Sequence, residues 1–111
     1  MRDETGVRQS LGYQLLKDDP APTSENVARW MTLLNDVAAE LSKRLGTAVH
    51  IDEAVLRAAI AVWRKRGLPY CPCRPMIASP AFVCPCIEVE DADALLKRGG
   101  CTCGLFRVGK V

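Results

Sequence analysis

The first 70 residues of this 111-residue chain contain no cysteine, and the whole chain has a single histidine, His50. Thiol chemistry is therefore confined to the C-terminal part. Charge of one sign is also lacking: fifteen basic against thirteen acidic side chains leave +2, too near neutral for the basic stripe of a nucleic-acid binder. No apolar run approaches the roughly 18 residues of a membrane span. The opening Met1-Arg2-Asp3-Glu4-Thr5-Gly6 is polar and no apolar signal region follows it. Acidic residues at positions 3 and 4 sit badly with an organellar transit peptide. These absences together predict a soluble, cytoplasmic protein with no nucleic-acid or membrane partner. Strand-like alternation of useful length is missing too, as are a flavin motif and any repeat beyond the cysteine pairs. With 49% apolar and 25% charged residues, the balance is that of one ordinary globular domain.

What is present reads as helices. Residues 1–22 carry few apolar side chains and end in Asp18-Asp19-Pro20-Ala21-Pro22. They predict a flexible or loosely packed arm in which only Leu11, Tyr13, Leu15 and Leu16 are able to pack, ahead of a domain over 23–111. From there Val27, Trp30, Met31, Leu34, Val37, Ala38, Leu41 and Leu45 recur at spacings of three and four, one face of a helix. Thr23 or Ser24 caps its start and Gly46 follows its end. A second helix starts at the N-cap Asp52, with Ile51 and Leu56 placed as a hydrophobic staple and Val55, Leu56, Ala59, Ile60 and Trp63 as its apolar face. Arg64, Lys65 and Arg66 occupy its last turn, where cations suit the helix dipole, and Gly67 and Pro69 stop it. A third, short helix is predicted over Val89–Arg98, with Leu95 and Leu96 apolar, Glu88, Glu90, Asp91 and Asp93 at an exposed start, and Gly99-Gly100 ending it. The fold class is mainly α: a helical half carrying a cysteine-bearing loop half.

All six cysteines fall into Cys-X-Cys pairs: Cys71-Pro72-Cys73, Cys84-Pro85-Cys86 and Cys101-Thr102-Cys103. Two thiols one residue apart do not bond comfortably to each other, but they are well placed to deliver sulfurs to one centre, or one to a centre and one beside it. In the first two pairs, proline between the cysteines fixes φ and keeps the segment out of a helix. Four thiolates satisfy a tetrahedral zinc or an iron–sulfur cluster, and the two left over suffice for a redox-active disulfide. A reducing cytosol disfavours three structural disulfides.

In sequence, Gly67-Leu68-Pro69-Tyr70-Cys71-Pro72-Cys73-Arg74, Cys84-Pro85-Cys86 and Cys101-Thr102-Cys103-Gly104-Leu105-Phe106 resemble the catalytic (beta) subunit family of ferredoxin–thioredoxin reductase. The likeness spans roughly residues 40–106. It implies a [4Fe–4S] cluster held by Cys71, Cys84, Cys86 and Cys101, beside an active-site disulfide formed by Cys73 and Cys103. The resemblance also makes Cys73 the exposed thiol that attacks the substrate disulfide, and Cys103 the one held against the cluster. It implies electrons from ferredoxin or a similar one-electron donor, a thioredoxin-like protein substrate, and a possible second subunit. Departures are plain. The family's Cys-His-Cys is Cys-Thr-Cys here, and a threonine hydroxyl does not exchange a proton near pH 7 as an imidazole does. Pro75-Met76 replaces the usual His-Tyr, and the first spacer is shorter and the second longer than in plant-type members. This marks a divergent, prokaryotic-type member whose substrate-facing surface is remodelled.

Blander readings stand beside these. The cysteines would also serve a structural zinc site with two spare thiols, or a cluster used only for electron transfer. Trp30 and Trp63 read as core. His50 reads as a residue of the surface or capping region, unless the fold brings it beside the cluster to replace the missing imidazole. Arg64, Lys65 and Arg66 are a solvated helix end or a docking patch for an acidic donor. Arg74 is placed to lower the pKa of Cys73.

Overall fold

The computed structural model describes residues 9–71, 80–85, 87–101 and 104–109. Among them the elements run α1 (Leu11–Leu16), α2 (Ser24–Leu45), β1 (Val49–Ile51), α3 (Glu53–Arg66), 3-10 turns at Pro80–Phe82 and Ile87–Glu90, α4 (Ala92–Arg98) and β2 (Phe106–Val108). The mainly helical class is as expected.

α2 starts where Thr23 accepts a hydrogen bond from the Asn26 N–H and ends at Gly46, whose left-handed φ of 67° lets the chain turn away. Its buried face is Trp30, Leu34, Val37, Ala38 and Leu41, while Met31 stays partly exposed at 38%. α3 begins at Asp52, whose carboxylate accepts the Ala54 and Val55 N–H groups, and closes on Gly67. Ile51 and Leu56 are both partly buried against the core, as a staple requires.

Trp30 and Trp63 bring the two helices together. Their rings meet edge to face, centroids 5.5 Å apart at 68°, a geometry worth about 0.5–1.5 kcal/mol beyond the area it buries. Both indoles are fully buried, so each N–H needs a partner. Trp63 Nε1 donates to the Pro20 carbonyl at 2.6 Å and Trp30 Nε1 to the Cys84 carbonyl at 2.7 Å. Asn26, also buried, donates through Nδ2 to the Asp19 and Ala21 carbonyls. Of the N-terminal residues able to pack, Leu16 is fully buried and Leu15 is partly buried against the core, while Leu11 is 39% exposed.

Two features depart from the sequence reading. β1 and β2 pair antiparallel, with Val49 opposite Val108, His50 opposite Arg107 and Ile51 opposite Phe106. Three residues are too few for period-two alternation to register, and the pairing joins segments more than fifty residues apart. The other correction concerns the third helix. It begins at Ala92 rather than Val89, because the Asp91 carboxylate accepts the Ala94 N–H and caps it there, and the preceding residues form a 3-10 turn. Leu96 is 48% exposed; Leu95 alone of the pair is core.

Asp52 also joins α3 to the sheet. Its second oxygen accepts from Arg107 Nε at 2.9 Å, and its N–H donates to the Leu105 carbonyl. The Val55 N–H and then the Arg107 guanidinium hold its carboxyl below the ordinary value of 3.8. A depressed pKa contributes stability that is fully present above the unfolded-state value and is lost as pH falls through the folded one. Asp52→Asn keeps a good N-cap but removes this charge. Thermal unfolding followed from pH 6 to pH 2 is expected to show wild type losing its advantage over Asp52→Asn below about pH 4; parallel curves for the two proteins throughout would contradict the assignment.

Candidate functional site

Three of the six cysteines, Cys71, Cys84 and Cys101, lie among the described residues, and all three are buried within one core cluster. Cys73, Cys86 and Cys103, with Arg74 and Thr102, lie outside them.

The backbone holds the three described cysteines in a common way. Each follows directly on a residue of an antiparallel β-bridge: Tyr70 pairs with Val83, and Gly100 with Arg107. Around the first bridge the Cys71 N–H donates to the Phe82 carbonyl at 2.7 Å and the Cys84 N–H to the Pro69 carbonyl at 2.8 Å. Cys71 and Cys84 are thereby fixed on either side of one bridge. The Cys84–Pro85 peptide is cis. Around the second bridge the Cys101 N–H donates to the Phe106 carbonyl at 3.1 Å and the Gly104 N–H to the Cys101 carbonyl at 2.9 Å, closing a tight turn. β2 thus has β1 on one edge and Gly99–Cys101 on the other. Gly100 has a φ of 146°, and a side chain there would come within 3.2 Å of the Phe106 carbonyl carbon and the Arg107 Cα. Glycine is required at that approach.

The sulfurs sit in apolar company. Leu34, Val89, Leu95, Leu105 and Phe106 share their cluster. The Phe106 N–H donates to Cys101 Sγ at 3.4 Å, the kind of contact that tunes a thiolate-bound metal centre. Among the described residues, no three of His, Cys, Asp or Glu come together closely enough to hold one metal ion. The donor set is nevertheless soft sulfur in dry surroundings, which suits iron–sulfur ligation; the residues present fit such a group.

His50 is not part of the core cluster that holds Cys71, Cys84 and Cys101. It lies in β1 and lines a surface pocket of about 390 Å³ with Met31, Leu34, Asn35, Glu53 and Leu56, whose described walls include no cysteine. Arg64 and Lys65 are exposed at the end of α3, and the Arg66 guanidinium stands 5.2 Å from the centre of the Tyr70 ring, one residue before Cys71. Sequence reasoning did not find Trp30 as a contact of the site. An apolar helix position carries no sign that its N–H reaches the Cys84 carbonyl, although any buried tryptophan predicts some acceptor.

A small, mainly helical frame thus holds the three described cysteines, Cys71, Cys84 and Cys101, as internal groups behind bridge-closed loops rather than as surface residues. Residues 21–110 match the family model described as ferredoxin thioredoxin reductase catalytic beta chain. The chain belongs to that family, one of oxidoreductase catalytic chains that bind an iron–sulfur cluster. No curated protein and no solved structure matches it. No helix of the described residues is long and apolar enough to cross a membrane.

Burial makes a direct prediction about reactivity. Cys71 and Cys84 are 1% exposed and Cys101 8%, so a reagent reaches them only through local opening. Residue-resolved alkylation at neutral pH is expected to be at least about 100-fold slower at these three positions in the native protein than in denaturant, the signature of an opening cost of a few kcal/mol. Equal rates in the two states at any of them would contradict the packing.

Proposed function

We propose that this chain reduces a protein disulfide with single electrons from ferredoxin or a similar donor. On this reading Cys71, Cys84, Cys86 and Cys101 hold a [4Fe–4S] cluster and Cys73 and Cys103 form the redox-active disulfide. The observation that carries it is the shared burial of Cys71, Cys84 and Cys101 in one cluster, each behind a β-bridge. Such positions suit ligands, which need fixed sulfurs and exclusion of water. They do not suit a nucleophile, which must meet a partner protein's disulfide. Among the remaining cysteines, the resemblance to the family gives that role to Cys73.

The bound cluster would supply transfer of one electron at a time next to a group that needs two. The chain's own residues do the rest. Two donor molecules are each oxidised by one electron, and the Cys73–Cys103 disulfide is reduced to two thiols with uptake of two protons. The Cys73 thiolate then attacks the substrate disulfide; a bond forms between Cys73 Sγ and one substrate sulfur, and the other substrate sulfur leaves as a thiolate. Cys103 attacks Cys73 Sγ in turn, the Cys73–Cys103 bond re-forms, and the second substrate thiolate departs. Thr102 has no imidazole to hand a proton to these thiolates, so protons come from solvent or from the partner. The substrate class is a thioredoxin-like disulfide protein. A second subunit and the cytoplasm as location belong to the same reading.

Anaerobic iron and sulfide analysis with thiol counting before and after reduction tests it. Expected are about four irons, four sulfides and two newly titratable thiols. Cys73→Ser is expected to abolish disulfide reduction while keeping iron, and Cys84→Ser to lose the iron itself. Reductase activity surviving in Cys73→Ser would remove the nucleophile assignment. A cluster without a reducible disulfide would mean an electron carrier, and zinc without sulfide a structural metal site.

The cationic last turn of α3, which ends near Tyr70 and Cys71, is the face assigned to an acidic donor. Arg64→Glu combined with Lys65→Glu is expected to slow donor association about tenfold at low salt, with the difference fading above roughly 0.5 M salt as charges are screened. A salt-independent loss, or none, in stopped-flow reduction would place the donor elsewhere.

A further inference from the structure

Three contacts from two helices converge on one short stretch of backbone, Val83–Cys84. The Ser10 hydroxyl donates to the Val83 carbonyl at 2.6 Å while accepting the Tyr13 N–H at 3.1 Å. Trp30 Nε1 donates to the Cys84 carbonyl at 2.7 Å. Gly12 packs so closely that an added Cβ would come 2.6 Å from the Cys84 carbonyl carbon and 2.9 Å from the Val83 oxygen. Such a contact has no room for any side chain.

None of the three is explained by the helices alone. Ser10 caps α1, but a cap needs neither complete burial nor a second bond to a residue 73 positions away. Gly12 is not among the glycines with positive φ, so space rather than conformation demands glycine there, inside a six-residue helix that glycine weakens. Trp30 belongs to the core by its ring, yet its N–H is aimed at the peptide of a cysteine. Ser10 and Gly12 also lie outside the family-matched residues 21–110.

We propose that Ser10, Gly12 and Trp30 are positioning residues for Cys84: α1 and α2 form a clamp that holds the Val83–Cys84 backbone and fixes where the Cys84 sulfur stands. With both carbonyls taken by donors and one backbone face covered by Gly12, the segment has no slack through which Cys84 could withdraw. Orientation of a ligand by groups behind it tunes the centre it binds. The spectroscopic consequence rests on the iron–sulfur reading above; the clamp itself does not.

The test uses the full-length chain purified anaerobically as wild type, Ser10→Ala, Gly12→Ala and Trp30→Phe. Gly46→Ala is the control: it strains a left-handed position with nothing within 4 Å of the new Cβ and so destabilises without touching Cys84. Two readouts are taken: residue-resolved alkylation rates of Cys71, Cys84 and Cys101, and the electron paramagnetic resonance spectrum of the reduced protein. In the clamp variants Cys84 alkylation is expected to rise about tenfold, equivalent to about 1.4 kcal/mol of local opening, with Cys71 and Cys101 rising less. The spectrum is expected to shift in these variants and not in Gly46→Ala. An unchanged Cys84 rate in both Ser10→Ala and Trp30→Phe would overturn the clamp, and so would an equal rise at all three cysteines shared by Gly46→Ala. Should Gly12→Ala fail to fold, the other two variants decide. Should wild type bind no iron, the iron–sulfur reading fails, and the alkylation pattern still decides the clamp.

Discussion

The Trp30–Trp63 pair is the constraint on which the rest of this small fold depends. The edge-to-face contact sets α2 against α3, and the burial of both rings obliges each indole N–H to find an acceptor. The acceptors are the carbonyls of Cys84 and Pro20, one in the cysteine loops and one in the segment between α1 and α2. Loss of either indole would therefore do more than leave a cavity. It would leave a buried carbonyl without its donor and remove one of the ties between that segment and the helices. The helical half and the loop half are coupled at the centre of the molecule, through groups that hydropathy counts only as apolar.

The long helices were legible because periodicity and end chemistry agree there. α2 and α3 combine an apolar stripe with Thr23 and Asp52 at their starts and left-handed glycines at their ends, and such agreement across levels marks an element strongly. The parts that were not legible depend on partners far away in the chain. β1 and β2 are three residues each and exist because they face each other. The start of α4 was misplaced by three residues because Asp91, taken only as one of several exposed acids, is the residue that caps it. α1 shows the same limit differently: it docks through Leu16, one buried hydroxyl at Ser10 and the missing side chain of Gly12, and an absent side chain leaves no hydrophobic signal.

For the site the balance is reversed. Sulfur chemistry is written in residue type, so three Cys-X-Cys pairs announce thiolate chemistry with no knowledge of the fold, and the family match over residues 21–110 agrees with what they resemble. What holds the pairs in place is written in backbone hydrogen bonds, and sequence carries almost none of that. Tyr70, Val83 and Gly100 look unremarkable as residues; each becomes the bridge residue directly before a cysteine only once the loops close. His50 reads as a residue of the surface or capping region, with a place beside the cluster as the alternative. It lines a pocket among α2, β1 and α3 whose described walls hold no cysteine.

The Tyr70–Val83 bridge also bears on how such a site can tolerate change in its first spacer. The segment between the first and second pairs is tied at its base by the Tyr70–Val83 bridge and the flanking Cys71–Phe82 and Cys84–Pro69 hydrogen bonds. The turn after Cys101 is tied by Gly100–Arg107 and by the Cys101–Phe106 hydrogen bond. Lengthening or shortening a loop beyond a closed base alters its closure entropy only logarithmically, about 0.6 kcal/mol per doubling, and leaves the base where it was. The first cysteine of a pair, sitting at the base, keeps its place relative to the helical frame while the outer loop is free to diverge. The shorter first spacer noted from the resemblance is then separate from the bridge that fixes Cys71 and Cys84, whereas the second spacer carries Val89 and Leu95 of the core cluster itself.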